Sequence, residues 1–297
     1  MGVKGLYTYV RKYRKDTLYE SVTQPLRIGF DAMSMLYKYK ANYPQMFPML
    51  RGLKEAGHRI VFIFDGKSPV EKEAEVKERR DVRDSATQQA EALKTHLTDP
   101  TLGKQERAVL EFSLARLEFQ GWHMSREIRH TVQDTLLEMG IPCVKAVMEA
   151  DDALMELVGA GKLDGVVSSD MDFLLSGVPR LWIPFRSGND GFEEVLLSRL
   201  LEGESMTLDM LRDAGILCGI EALRGKVSIQ STVAFSWIRY YKSLEGLIQS
   251  KIKDPQFEHL TPEVIKKIRE SFTATGDWKA QIRPDHLERV AAFMEAL

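Results

Sequence analysis

Arg59-Ile60-Val61-Phe62-Ile63-Phe64 is a short apolar run that stops at Asp65-Gly66. Its β-branched and aromatic side chains, bounded by turn residues, read as a buried strand. Other runs repeat the pattern. Leu26-Arg27-Ile28-Gly29-Phe30 stops at Asp31, Ile141-Pro142-Cys143-Val144 leads into Glu149-Ala150-Asp151-Asp152, and Gly165-Val166-Val167 leads into Ser168-Ser169-Asp170-Met171-Asp172. A last run, Arg180-Leu181-Trp182-Ile183, carries no acid. Helical periodicity fills the gaps, as from Asp152 to Val158 with Gly161 as the stop. Strands alternating with helices predict an α/β fold, a mainly parallel sheet with helices on both faces. Ligands of such sheets bind outside the carboxyl ends of the strands, which is where these acids fall.

The span from Pro69 to Met139 is far longer than a crossover needs. It reads as charged helices broken near Thr98-Asp99-Pro100 and Gly121, with few apolar stripes, so part of it is expected to project from the body. From about Met206 the pattern is helical throughout. The division expected is therefore a core over 1–200, with an insertion at about 80–122, and a helical region over 201–297.

Apolar residues at 44% of 297 allow a sizeable core and exclude wholesale disorder. A net charge of −2 excludes a uniformly basic nucleic-acid coat but not local basic patches. Cys143 and Cys218 form neither a disulfide framework nor a zinc cluster and read as buried thiols of a reducing compartment. The early cations Arg11, Lys12, Arg14 and Lys15 oppose a signal peptide, and Leu6 stands where myristoylation wants Ser or Thr. No apolar run approaches the ~20 residues that cross a bilayer. The expectation is a soluble intracellular chain, nucleus or cytoplasm left open, without a membrane partner.

Asp31, Asp65, Glu149, Asp151, Asp170 and Asp172 would repel one another in a single cleft unless protonated or bridged by cations. Oxygen donors alone select hard ions such as Mg²⁺ or Mn²⁺. Two such ions could activate water and stabilise the leaving oxygen of a phosphodiester. Any one acid after a strand is as readily a cap or turn former; six on converging strand ends are not. A phosphatase with an aspartate nucleophile would want an acid two residues after Asp31, where Met33 stands.

Several motifs resemble the flap endonuclease and 5′-3′ exonuclease family, in family order and over most of the chain. They are Met1-Gly2-Val3-Lys4-Gly5-Leu6, Phe30-Asp31-Ala32-Met33-Ser34-Met35-Leu36-Tyr37, Phe64-Asp65-Gly66-Lys67-Ser68-Pro69, Met139-Gly140-Ile141-Pro142, Glu149-Ala150-Asp151 and Ser169-Asp170-Met171-Asp172. The resemblance implies a PIN-like core, a helical arch through which a 5′ single strand threads, and a C-terminal helix-two-turn-helix. It implies a divalent-metal-dependent endo- and exonuclease of DNA replication and repair, acting on 5′-flap or 5′-ended branched DNA and leaving a 5′-phosphate. A ribonuclease on the same scaffold, or an inactive binding protein, are the alternatives. The six acids fall on the family's metal ligands: Asp31, Asp65, Glu149 and Asp151 chiefly for one ion, Asp170 and Asp172 for the second. Glu221 stands where a seventh acid is normally Asp.

Lys72 and Arg79, seven residues apart, return to nearly one helix face and could meet one phosphate; a solvated helix face is the plain alternative. They match the family's catalytic cations. Tyr37 matches an aromatic that stacks on a base, with a core tyrosine as the plain alternative, and Gly2 a terminus packed beside the site; Arg80 and Lys77 read as contacts to backbone phosphates or simply to water. The family hairpin Arg-Gly-x-Gly-Pro reads Arg224-Gly225-Lys226-Val227-Ser228 here. Without the second glycine a K⁺ at its carbonyls is not expected, and duplex grip passes to Arg224, Lys226, Arg239 and Lys242. No sliding-clamp motif precedes Leu297, and a monomer is expected.

Overall fold

A computed structural model describes residues 2–18, 24–69, 72–184, 191–250 and 253–295. Its strands are β1 (Arg14–Leu18), β2 (Arg27–Asp31), β3 (Arg59–Phe64), β4 (Cys143–Lys145), β5 (Gly165–Val167), β6 (Arg180–Pro184) and β7 (Gly191–Leu196). They form one sheet in the order β1-β7-β6-β5-β2-β3-β4. β2 to β6 are parallel, while β7 runs antiparallel to both β6 and β1.

The five strands read from the sequence are present; β1 and β7 are additions. β1 starts inside the run of cations from Arg11 to Lys15. A short 3₁₀ turn ends at Tyr13, and Arg14 and Lys15 enter the sheet. The Arg14 guanidinium pairs with Glu193 and lies 4.1 Å from the centre of the Tyr7 ring. On β7, buried Glu194 accepts from Arg180 at 2.7 Å and from the Trp182 indole at 3.1 Å. Charges inside both strands hide the alternation that marks a strand, and only their partners make them tolerable.

The helices are α1 (Leu6–Tyr9), α2 (Ala32–Tyr39), α3 (Met46–Glu55), α4 (Glu73–Leu97), α5 (Lys104–Gly121), α6 (Arg126–Glu138), α7 (Ala150–Gly159), α8 (Asp172–Leu175), α9 (Leu197–Glu204), α10 (Leu208–Cys218), α11 (Ser231–Tyr241), α12 (Leu244–Ile248), α13 (Pro262–Ser271), α14 (Trp278–Gln281) and α15 (Leu287–Glu295). Alternation along β3 divides the core. Ile60, Phe62 and Phe64 pack with Leu36 of α2, Leu50 of α3 and Leu136 of α6. Val61 and Ile63 face the other way, into a cluster holding Leu154 of α7, Phe173 of α8, Leu211 of α10 and Phe235 of α11. The C-terminal helices thus share one continuous apolar core with the second face of the sheet. Among the described residues no strand follows β7. Cys143 and Cys218 are buried, and burial pushes both thiols up to about 12, so neither is a nucleophile near neutral pH.

α4 and α5 form the expected helical hairpin, breaking where Thr98-Asp99-Pro100 and Gly121 stand. Ala86 and Ala90 are buried in it. The Arg107 guanidinium ties its tip by donating to the carbonyls of Leu97 and Asp99. Phe112 and Phe119 remain exposed on α5.

Candidate active site

β2 and β5 are neighbours, yet the chain leaves β2 towards β3 and leaves β5 towards β6. Connections diverging from adjacent strands open a crevice at their carboxyl ends. The two lips are joined by a 2.8 Å contact between the hydroxyls of Ser34 and Ser169.

The six acids enter this crevice from four pieces of backbone. Asp31 ends β2 and caps α2, its Oδ1 accepting from the Ser34 amide at 3.0 Å and its Oδ2 from the Ser168 hydroxyl at 2.8 Å. Asp65 follows β3 and accepts from the Ala150 amide at 2.9 Å, which fixes the start of α7. Glu149 stands at the N-cap of α7 and Asp151 in its first turn. Asp170 Oδ1 accepts from the Asp172 amide at 2.9 Å, holding the turn into α8. Gly66 allows the β3 turn to press on this assembly: a Cβ there would lie 2.1 Å from the Ala146 carbonyl oxygen.

Packing these groups together has an electrostatic cost. Burial raises the Asp31 carboxyl from 3.8 to about 6, with the charges of Asp65 and Asp170 adding to the shift. Burial and Asp170 carry Asp172 to about 7. Asp151 is raised well above the usual range by burial and by Asp31, Asp170, Asp65 and Glu149. Asp65 is raised too, chiefly by burial. Coupling among them places the acids within electrostatic reach of one another. Lys72 stands among them, its Nζ 2.8 Å from Glu149 and 3.5 Å from Glu221. Burial would lower it, but Glu149, Glu221 and Asp151 outweigh burial and hold its ammonium above the ordinary lysine range. Glu149, Asp151, Asp170, Asp172, Glu221 and Lys72 line one cleft of about 830 Å³.

Divalent cations fit this donor set. Among the described residues no three acids already close on a single point; they form an open arc. Asp172 Oδ1 is buried without a hydrogen-bond donor, a position that protein groups leave unsatisfied and a cation would satisfy. Hard oxygen donors that repel one another when ionised suit Mg²⁺ or Mn²⁺.

Gly2 lies against the arc with φ 38°, and a Cβ there would fall 2.1 Å from Asp170 Oδ1. Tyr37 is half-buried at the base of the hairpin, its hydroxyl accepting from Arg83 at 3.1 Å and its ring edge-on to Trp122. Arg79 is exposed on α4, outside the lining of the cleft, and Arg80 is exposed beside Asp84 at 3.7 Å. Arg224 lines the cleft and reaches Glu78 of α4 at 3.5 Å. Lys226 and Lys242 are exposed, whereas Arg239 pairs with buried Glu204 at 2.5 Å. Sequence reasoning assigned no role to Ser34 and Ser168, which hold Asp31 in place, or to Ser169, which bonds Ser34; Ser168 and Ser169 directly follow β5. It also passed over Arg129, whose charge pulls Asp65 down against burial. α6 brings Arg129 there from a distant part of the chain, so no local pattern marks it.

The model of the XPG I-region family matches residues 140–221, a span that includes Glu149, Asp151, Asp170, Asp172 and Glu221. Flap endonuclease 1 of Entamoeba histolytica is 27% identical over 86% of this chain and 72% of its own length. Flap endonuclease 1-B of Physcomitrium patens is 27% identical over 96% of this chain and 85% of its own. Among solved structures, the catalytic core of Rad2 in complex with a DNA substrate superposes with a TM-score of 0.60, at 16% identity, over 99% of this chain and 94% of that one. That last likeness is one of fold.

Proposed function

We propose that this chain, which belongs to the flap endonuclease and XPG family of 5′ nucleases, hydrolyses 5′-flap or 5′-ended branched DNA with two Mg²⁺ or Mn²⁺ ions. The observation that carries the reading is the buried, donorless Asp172 Oδ1 within an arc of mutually repelling carboxylates at the crevice. When bound, the cations supply a Lewis acid that makes water nucleophilic and offsets charge on the scissile phosphate. Asp31, Asp65, Glu149 and Asp151 would hold one ion, Asp170 and Asp172 the other, with Glu221 reaching the second from across the cleft. Ser34, Ser168 and the Ala150 amide orient Asp31 and Asp65 in advance, so the ligands need little rearrangement. Lys72 offers the phosphate an ammonium where negative charge develops, and Arg79 would join it by turning in from α4. Gly2 leaves room beside Asp170 that a side chain would fill. Tyr37 and the α4–α5 hairpin would receive the 5′ strand, and Arg80, Arg224, Lys226, Arg239 and Lys242 would meet duplex phosphates, Arg239 by exchanging Glu204.

The test is cleavage of labelled 5′-flap DNA, the matched RNA and blunt duplex, with Mg²⁺ and with chelator. Flap cleavage releasing a 5′-phosphate only with metal is expected. Equal or faster cleavage of the RNA would move the substrate to RNA, and metal-independent cleavage would overturn the assignment of the acids.

A further inference from the structure

A second cleft, of about 470 Å³, opens beside the end of β3. Phe64, the residue before Asp65, forms part of its wall. Its charges are reversed: Arg126, Arg129, Lys145 and Arg289 line it against Asp134, with His130 and His286 also in the lining. They come from three separate elements. Arg126 and Arg129 stand in the first turn of α6, Lys145 ends β4, and Arg289 belongs to α15. The Arg289 guanidinium donates to the Cys143 carbonyl at 3.2 Å, which fixes that wall. Ser125 caps α6 through the Ile128 amide, leaving the positive end of a 13-residue helix behind the two arginines. Cations from distant parts of the chain, converging beside a single acid, repel one another unless an anion joins them.

The position indicates which anion. Phe64 lines the basic cleft and directly precedes Asp65, so the cleft lies beside the strand end that carries this acid. We infer that it holds the phosphodiester backbone of a single strand as that strand leaves the scissile phosphate past Asp65. The cleft is one concavity walled by α6, β4 and α15, and its four cations suit the phosphates of one strand. The inference rests on the nuclease reading and adds to it a route for one strand of the substrate.

Binding of the full chain to labelled oligothymidylate, and to blunt duplex of the same length, tests this by anisotropy in chelator over a salt series. The double variant Arg126→Ala/Lys145→Ala is expected to bind the oligothymidylate several-fold more weakly. Its slope of log affinity against log salt should become shallower by about 0.7 for each phosphate that the variant no longer neutralises. Duplex affinity should be unchanged. Asp134→Asn removes the opposing charge and should tighten oligothymidylate binding, a gain that misfolding cannot mimic. Unaltered single-strand binding in both variants, or an equal loss on duplex, overturns the assignment. Failure to cleave flap DNA with Mg²⁺, with these binding effects intact, would overturn the nuclease reading and leave the cleft standing. Normal flap cleavage with wild-type binding by the double variant would overturn the cleft alone.

Discussion

Two clefts of the molecule carry opposite charge. On the α8 side Glu149, Asp151, Asp170, Asp172 and Glu221 face Lys72 and Arg224; on the α6 side Arg126, Arg129, Lys145 and Arg289 face Asp134. A polyanion is repelled by the first until cations neutralise it and is attracted to the second without metal. Burial differs as well. The carboxylates are desolvated to the point of raised pKa, whereas Arg126 and Arg289 are exposed. Chemistry calls for charges concentrated out of water, where each acts strongly on a reacting atom; grip calls for charges a long strand can reach. The molecule assigns the two tasks to separate clefts.

The largest expected effect strikes the acidic cleft. Asp170→Asn should lower the single-turnover cleavage rate by on the order of 10²-fold or more, while nucleic-acid affinity stays close to wild type. Near-normal turnover would mean that these acids are structural. Lys72→Ala comes next, with a fall of about 10–10²-fold at saturating substrate and little change in binding. Arg79→Ala should act in the same direction. If either variant lost affinity at an unchanged rate, that residue would belong with the grip of the basic cleft.

A smaller, thermodynamic effect follows from the raised carboxyls. Asp31 at about 6 and Asp172 at about 7 keep protons in the folded, metal-free chain that unfolded carboxyls release near 3.8. The folded state then binds more protons between those values, so stability decreases as pH rises through the interval. In chelator the melting temperature should fall by several degrees from about pH 5 to pH 8. Saturating Mg²⁺ should raise it more at the higher pH, because cations compete with those protons. A metal-induced rise of the same size at both ends would separate metal binding from these acids.

The smallest effect is expected at the hairpin after α10. Gly225 takes φ 77°, while Val227 is buried and its amide bonds to the Leu223 carbonyl. Replacing K⁺ with Na⁺ at fixed ionic strength should leave duplex binding nearly unchanged. A marked preference for K⁺, measured by anisotropy, would give the backbone carbonyls the role that the side chains are expected to hold.

The parallel centre of the sheet and the order of the acids are legible in the sequence. An apolar run ending in an acid is a local pattern, and a parallel sheet brings such endings to one edge. The helical hairpin is legible for the same reason: its breaks are Thr98-Asp99-Pro100 and Gly121. β1 and β7 are not, because Arg14 and Glu194 become acceptable strand residues only through Glu193, Arg180 and Trp182. Nor could the sequence reveal that Arg239 is held by Glu204, that Asp172 Oδ1 lacks a donor, or that Arg126, Lys145 and Arg289 share one cleft. Propensity and periodicity act over a few residues and so can be read along the chain. Desolvation, charge pairing and the convergence of distant groups depend on distances that only the tertiary structure sets.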